Sequence, residues 1–159
     1  MNTSIEESNI LANKVFLDTS FALAAFSVTD RHHARALELA FQLQKQNVQI
    51  ITTHAIMCEI GNHFAKAALK RHGLRAIDAY RRDPSVTILP VTDALYERGL
   101  SLYCERLDQD WSLTDCISLI VMQDERLTDA LTYDKHFEQS GNRALLRDTY
   151  YDARNRPTY

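Results

Sequence analysis

Apolar residues along this chain form short continuous runs separated by longer stretches with helical periodicity. The first run, Val15 to Leu17, contains no polar residue that would leave one face in water, and it ends directly at Asp18. A short run of this kind is typical of a strand buried on both faces of a parallel sheet. Because open α/β sheets bind ligands at the carboxyl ends of their strands, Asp18 is the first residue whose function we consider.

Similar patterns predict four further strands, at residues 48–52, 86–89, 130–132 and 144–146. Between the strands, apolar residues recur at helical spacing. They predict helices over residues 21–26, from about 30 to 46 and from about 53 to 69. A basic helical segment, interrupted at Gly73, follows and ends near Arg82. Three later helices are predicted to start near Thr92, Ser112 and Lys135. Strands that alternate with helices predict one α/β domain, with a central parallel sheet of about five strands and helices on both faces.

Polar residues dominate both ends of the chain. We therefore predict a flexible leader over residues 1–13, a folded domain over 14–148 and a flexible tail over 149–159. Two helix caps remain open: Thr19 or Ser20 for the short first helix, and Thr29 or Asp30 for the long second helix.

The composition is that of a folded soluble protein. Of the 159 residues, 45% are hydrophobic and 25% are charged, which excludes a disordered chain. No apolar run approaches the roughly 18 residues that a membrane span requires, and the first ten residues lack the layout of a secretion signal. We therefore expect a cytoplasmic protein that does not enter the membrane.

The cysteines and histidines give no pattern of a zinc site. Cys58, Cys104 and Cys116 are widely spaced within apolar helical patterns, so we expect buried free thiols. His32 and His33 lie together at a helix start, where solvated or capping roles are expected.

Four acidic residues occupy positions that suggest chemistry. Asp18 and Asp134 each follow a predicted strand and would project from the same edge of the sheet. Asp115 lies in the largely apolar segment SLTDCISLIVM, and Glu59 flanks the apolar stripe of a helix. Each has a structural alternative, since Asp18 and Asp134 could cap helices, Asp115 could stabilise a helix start and Glu59 could be solvated.

The four acidic residues together indicate a function more strongly than any one of them does. Two carboxylates about 4 Å apart repel by roughly 4 kcal/mol at an effective dielectric constant near 20, and a bound cation removes that repulsion. Carboxylate oxygens without cysteine or histidine favour Mg²⁺ or Mn²⁺, which can activate water for phosphodiester hydrolysis. Phosphate-binding loops rich in glycine are excluded, because the chain has only four glycines.

Four segments of the sequence resemble the PIN-domain family, and within it the VapC-type toxins of toxin-antitoxin pairs. They span residues 15–141 and read VFLDTSFALAAF, MCEIGNHF, DWSLTDCISLIVM and ALTYDKHFEQSG. The resemblance implies a parallel sheet of about five strands and a divalent-metal endoribonuclease, with Mg²⁺ or Mn²⁺ as cofactor. It further implies an RNA substrate, a homodimer and a cognate antitoxin that blocks the active groove.

The resemblance also implies roles for individual residues. Those that match the family's catalytic and metal-binding acids are Asp18, Glu59, Asp115 and Asp134. Those that match its small hydroxyl residues, which would orient the acids or the attacking water, are Ser20, Ser112 and Thr132.

Positive charge is concentrated in one segment although the net charge is -3. Between residues 66 and 82 lie six of the 18 Lys and Arg residues, opposed by Asp78 alone. The segment is either a solvated helical face or a track for the RNA backbone. In the second case the contacts would be made by Lys66, Lys70, Arg71 and Arg75.

Two other functions remain as alternatives. A non-cleaving PIN-like module that binds RNA or protein would need no active acids, although all four are present. A phosphotransfer enzyme of the haloacid-dehalogenase type requires a second aspartate two residues after the first, where this chain has Ser20.

Overall fold

The structure is a computed structural model that describes residues 11–147, so most of the predicted leader and tail lie outside the described residues. The strands are β1 Lys14–Leu17, β2 Gln49–Thr53, β3 Val86–Leu89, β4 Asp129–Leu131 and β5 Arg143–Ala144. The helices are α1 Thr19–Phe26, α2 His33–Lys45, α3 His54–His63, α4 Lys70–Arg82, α5 Asp93–Glu105, α6 Leu113–Asp124 and α7 Lys135–Gln139. Leu11, within the predicted leader, is buried in the core.

The five strands form one parallel sheet in the order β3-β2-β1-β4-β5. This arrangement confirms the predicted α/β class. The chain proceeds from β1 through β2 to one edge, then returns to place β4 on the other side of β1. The carboxyl ends of β1 and β4 are therefore neighbours at the point where the strand order reverses, which is where sheets of this kind bind ligands.

Helix contacts fall into two groups. Helices α1 to α4 contact one another, whereas α5 packs against α6. Right-handed crossovers explain this division, because connections that proceed towards β3 and those that proceed towards β5 cover opposite faces of the sheet. The central strand is accordingly buried on both faces, and Val15, Phe16 and Leu17 are wholly inaccessible to solvent.

The bounds of α3 and the continuity of α4 differ from the sequence prediction. Helix α3 ends at His63 instead of residue 69, and Gly73 lies within α4 without interrupting it. Phe64, just after α3, is buried, and a Cβ atom on Gly73 would lie only 2.9 Å from the Phe64 Cβ. Gly73 therefore permits the close approach of α4 to the turn after α3.

The helix starts correct two capping predictions. Asp18, rather than Thr19 or Ser20, caps α1. Helix α2 begins at His33 without a side-chain cap, and neither Thr29 nor Asp30 caps it. Thr92 caps α5 and Ser112 caps α6, close to where the sequence predicts these two helices to start.

Two expectations about side-chain burial and strand position require correction. Cys116 is buried, but Cys58 and Cys104 are exposed because they lie on outward faces of α3 and α5. The fourth strand lies one residue earlier than predicted, so Thr132 follows β4 instead of ending it. The fifth strand begins one residue earlier than predicted and is shorter, ending at Ala144 instead of residue 146. Within residues 11–147, no helix has the length and apolar character to span a membrane.

Candidate metal and active site

Asp18 lies at the carboxyl end of the central strand, where burial and hydrogen bonding fix its side chain. The residue is only 7% exposed. The backbone N–H of Ser20 donates to Oδ2 at 3.2 Å, and the hydroxyls of Ser20 and Thr132 donate to the same oxygen at 2.6 and 2.7 Å. Among the described residues no donor uses Oδ1, which leaves that oxygen open to another partner.

Thr132 connects this carboxylate to the turn after β4. Its hydroxyl oxygen lies 2.9 Å from the Ser20 hydroxyl and accepts the backbone N–H of Asp134 at 2.9 Å. The Tyr133 N–H donates to the Ser20 hydroxyl at 3.3 Å. These bonds place Ser20 and Thr132 beside the acids, consistent with the predicted supporting role of the hydroxyls.

Asp115 is held by the start of α6. The Ser112 N–H donates to Asp115 Oδ2 at 2.7 Å, and the Asp115 N–H donates to the Ser112 hydroxyl at 3.1 Å, which forms a reciprocal capping box. Asp115 thus stabilises the helix start, which is the structural alternative that the sequence left open for it. Ser112 orients Asp115 in this way, and the Asp115 side chain is 17% exposed.

Asp134 caps the short helix α7. Its Oδ1 accepts the His136 N–H at 2.9 Å, and its side chain is 36% exposed. The capping alternatives for Asp18, Asp115 and Asp134 are all observed, and they do not remove these acids from the site. Helix N-termini attract negative charge, so the same backbone groups that are capped also bring the carboxylates together.

His136 was not identified as a site residue from the sequence. Its Nδ1 lies 3.2 Å from Asp134 Oδ1 and 3.5 Å from Asp115 Oδ2. This nitrogen is shielded from solvent and forms no hydrogen bond with any described residue. The signal available in the sequence was its position two residues after a strand-end aspartate and directly before Phe137, whose buried side chain holds α7 against the core.

Asp115, Asp134 and His136 form the acidic cluster, in which one ligand atom from each lies within 4.8 Å of the others. Asp18 adjoins this cluster through Thr132, and the negative charge of Asp115 acts on it. Glu59 is not part of the acidic cluster and is linked to the site through Thr19, the residue after Asp18. It is half-buried on α3, and its Oε2 accepts the Thr19 hydroxyl at 2.7 Å.

Burial raises the pKa of the Asp18 carboxyl above its ordinary value of 3.8. The hydrogen bonds from Ser20 and Thr132 lower that pKa in part, and the nearby Asp115 charge raises it further. A buried carboxyl that resists ionisation next to other acids indicates a site with an excess of negative charge.

The residues present fit a divalent cation. Carboxylate oxygens are hard ligands of the kind that Mg²⁺ and Mn²⁺ accept, and the shielded Nδ1 of His136 lacks the partner that a buried polar atom ordinarily has. The acidic cluster can therefore bind a metal ion.

The basic segment and the paired histidines lie outside this cluster. Lys66, Lys70, Arg71 and Arg75 are exposed around the start of α4 and have no acidic partner within 4 Å among residues 11–147. The His32 ring stacks on Tyr133 at a centroid distance of 4.8 Å. His33 Nδ1 lies 2.7 Å from the Ala24 carbonyl, so neither histidine is merely solvated.

The fold and the strand-end carboxylates define a parallel α/β domain with a candidate metal site at its topological switch point. A model of the PIN domain family matches residues 15–142, and the chain belongs to that family.

Two solved structures share the fold. VapC20 of Mycobacterium tuberculosis, a sarcin-ricin loop cleaving toxin, has a TM-score of 0.72 and 23% identity, with 80% of this chain and 95% of that chain covered. A chain of VapBC2 from Rickettsia felis, bound to a DNA fragment from their promoter, has a TM-score of 0.58 and 18% identity, with 82% and 96% covered. No curated protein sequence gives a significant match.

The raised pKa of Asp18 leads to a prediction about stability. The folded state binds a proton more tightly than the unfolded state, so the contribution of Asp18 to stability is present below pH 3.8 and is lost as the pH rises through the raised pKa. Without divalent ions, Asp18→Asn should therefore raise the melting temperature by a few degrees at pH 7. The gain should shrink towards pH 4, as measured by circular dichroism in EDTA.

Asp124→Asn is the matched control for this measurement. Asp124 is exposed, and its hydrogen bonds from Arg98 lower its pKa, so the control should leave the melting temperature at pH 7 unchanged or slightly reduced. A lower melting temperature for Asp18→Asn at pH 7 would contradict the destabilising role of the Asp18 charge.

Proposed function

We propose that this protein is a divalent-metal-dependent endoribonuclease that hydrolyses RNA phosphodiesters. The observation that carries the proposal is the acidic cluster at the carboxyl edge of a PIN-domain sheet, with Asp18 beside it. The sarcin-ricin loop cleaving activity of the similarly folded VapC20 supports RNA as the substrate class.

The four acids would have distinct tasks in this reaction. Asp115 and Asp134 would hold the ion, and Asp18 would turn its open Oδ1 towards the same space while Ser20 and Thr132 fix Oδ2. Glu59, held by Thr19, would complete the negative edge. Bound Mg²⁺ or Mn²⁺ supplies an activated water and neutralises charge on the phosphoryl oxygens.

The helix starts would keep this arrangement in place during the reaction. Ser112 holds Asp115 through the capping box, and the His136 N–H holds Asp134, so neither carboxylate must be oriented anew when RNA binds. Preorganised charges of this kind lower the barrier because they require no rearrangement as the reaction proceeds.

Purified protein should cut single-stranded RNA internally in Mg²⁺ or Mn²⁺ and should not cut it in EDTA. Asp18→Asn and Asp115→Asn should each reduce the cleavage rate by about 100-fold or more, because each removes a carboxylate that the metal site requires. A gel assay with an end-labelled RNA measures both effects.

Asp124→Asn serves as the control, since it removes an acid from the opposite end of the same helix as Asp115, nine residues or about 13 Å away. It should cleave at the rate of the unaltered protein. Equal cleavage by Asp18→Asn and the unaltered protein would contradict the assignment of Asp18 to the active site. Tight RNA binding without fragments in any divalent ion would favour a non-cleaving PIN-like module.

The basic segment would bind the RNA backbone next to this site. Helix α4 packs against α3, which carries Glu59. The four cations just before and in the first half of α4 are exposed and have no acidic partner within 4 Å among the described residues. By contrast, Arg81 and Arg82 at its end lie 4.0 and 3.8 Å from Asp78, which partly neutralises them.

The variant Lys70→Gln/Arg71→Gln should weaken RNA binding in EDTA and flatten its salt dependence. Each phosphate-binding charge removed should reduce the slope of log affinity against log salt by about 0.7, so the double variant should reduce it by up to about 1.4. Arg81→Gln/Arg82→Gln removes the same charge from the same helix and should change the slope less. Fluorescence anisotropy over a salt series measures both. Equal slopes for the two variants would identify the segment as a solvated face.

The partners implied by this function are also proposals. We place the protein as the toxin of a toxin-antitoxin pair in the cytoplasm, with RNA as its substrate, a cognate antitoxin and a homodimeric state. The similar fold of a VapBC2 chain supports the antitoxin. Leu37 and Phe41, four residues apart on α2, are 49% and 66% exposed and offer an apolar face to a protein partner.

A further inference from the structure

His136 adds a nitrogen atom to a group of oxygen ligands. Its Nδ1 faces the same two carboxylate oxygens, Asp134 Oδ1 and Asp115 Oδ2, that would hold the ion. We infer that His136 is a direct nitrogen ligand of the metal and makes the site prefer Mn²⁺ to Mg²⁺. This inference rests on the metal site of the proposed function and extends it to a residue outside the acid set.

The distances fit neighbouring ligands of one ion. Octahedral ions with bonds of about 2.1 Å place adjacent ligand atoms about 3 Å apart. The separations of 3.2 and 3.5 Å from Nδ1 to the two oxygens are close to that spacing. Each oxygen already accepts one backbone N–H, and a carboxylate oxygen retains a second lone pair for a metal.

A direct hydrogen bond does not explain the contact. Nδ1 is shielded from solvent and lies 3.2 and 3.5 Å from the two oxygens, yet it forms a hydrogen bond with neither of them. A ring nitrogen within 3.5 Å of two carboxylate oxygens, without a hydrogen bond to either, has the spacing expected of a ligand to a shared ion.

The chain holds the imidazole in this position before any ion binds. The backbone N–H of His136 donates to Asp134 Oδ1. The next residue, Phe137, is fully buried, and its ring lies 6.1 Å from that of Phe16. The His136 side chain is itself only 16% exposed. Ligands that are fixed in advance bind their metal without a large loss of conformational entropy.

The nitrogen atom decides which ion is favoured. Mg²⁺ prefers oxygen ligands and retains several waters, whereas imidazole binds transition metals more strongly. A site with two carboxylates and one imidazole should therefore discriminate in favour of Mn²⁺, while two carboxylates alone would distinguish the ions much less.

The competing explanation is that a positively charged His136 balances the two acids. The two explanations predict opposite changes for His136→Asn, which puts an amide near the position of Nδ1 and carries no charge. Loss of a ligand weakens Mn²⁺ binding, whereas loss of a competing positive charge strengthens it.

Isothermal titration of the full-length protein without RNA tests the inference, with Mn²⁺ and Mg²⁺ titrated separately. His136→Asn should weaken Mn²⁺ binding by about tenfold or more and change Mg²⁺ binding by less than about threefold. His72→Asn, which alters an exposed histidine on α4, should change neither. Unchanged or tighter Mn²⁺ binding by His136→Asn would overturn the inference.

Pulsed electron paramagnetic resonance of bound Mn²⁺ provides a second measurement that does not depend on the folding of a variant. The unaltered protein, labelled with ¹⁵N-histidine, should show the coupling of one directly bound nitrogen, and His72→Asn should retain it. Bound Mn²⁺ without this coupling would refute His136 as a ligand. If that protein still cleaves RNA with Mn²⁺, the proposed function stands and only the role of His136 fails.

Discussion

The hydrogen bonds to one oxygen of Asp18 hold the site together. They join the end of β1 to the end of β4, because Ser20 belongs to the helix after β1 and Thr132 follows β4. The two hydroxyl bonds are short, at 2.6 and 2.7 Å. The same threonine hydroxyl fixes the Asp134 backbone, so the geometry of the second acid depends on the bonds that hold the first.

Burial of this carboxylate has an energetic consequence for the whole edge. A charge removed from water next to another acid destabilises the folded state, as the raised pKa of Asp18 indicates. A bound cation would reverse this effect, since it interacts with the folded site and not with the unfolded chain. Stability given up at a binding site and recovered on ligand binding is the usual relation between stability and activity in enzymes.

The sequence alone predicts the fold and the strand-end positions of Asp18 and Asp134, because the relevant signals are local. Buried strands appear as uninterrupted apolar runs, and the residues after them identify the edge where Asp18 and Asp134 lie. The observed capping role of these acids is compatible with the proposed function, because a carboxylate that caps a helix start is also brought towards the other helix starts at that edge.

The features that the sequence does not predict depend on tertiary contacts. The break after α3 requires Phe64 to pack on Gly73, nine residues later. His136 resembles any polar residue of a short helix until Asp115, from a distant helix, is placed beside it. The exposure of Cys58 likewise depends on which face of α3 meets the core, and that is decided by packing.

Anomalous diffraction from crystals of the protein soaked in Mn²⁺ tests the central claim most directly, because it locates the ion without reference to activity. We predict a peak within about 2.5 Å of a carboxylate oxygen of both Asp115 and Asp134, at the carboxyl edge of β1 and β4. A crystal that binds Mn²⁺ elsewhere, for example near Asp108 of the loop before α6, and shows no peak at this edge would contradict it.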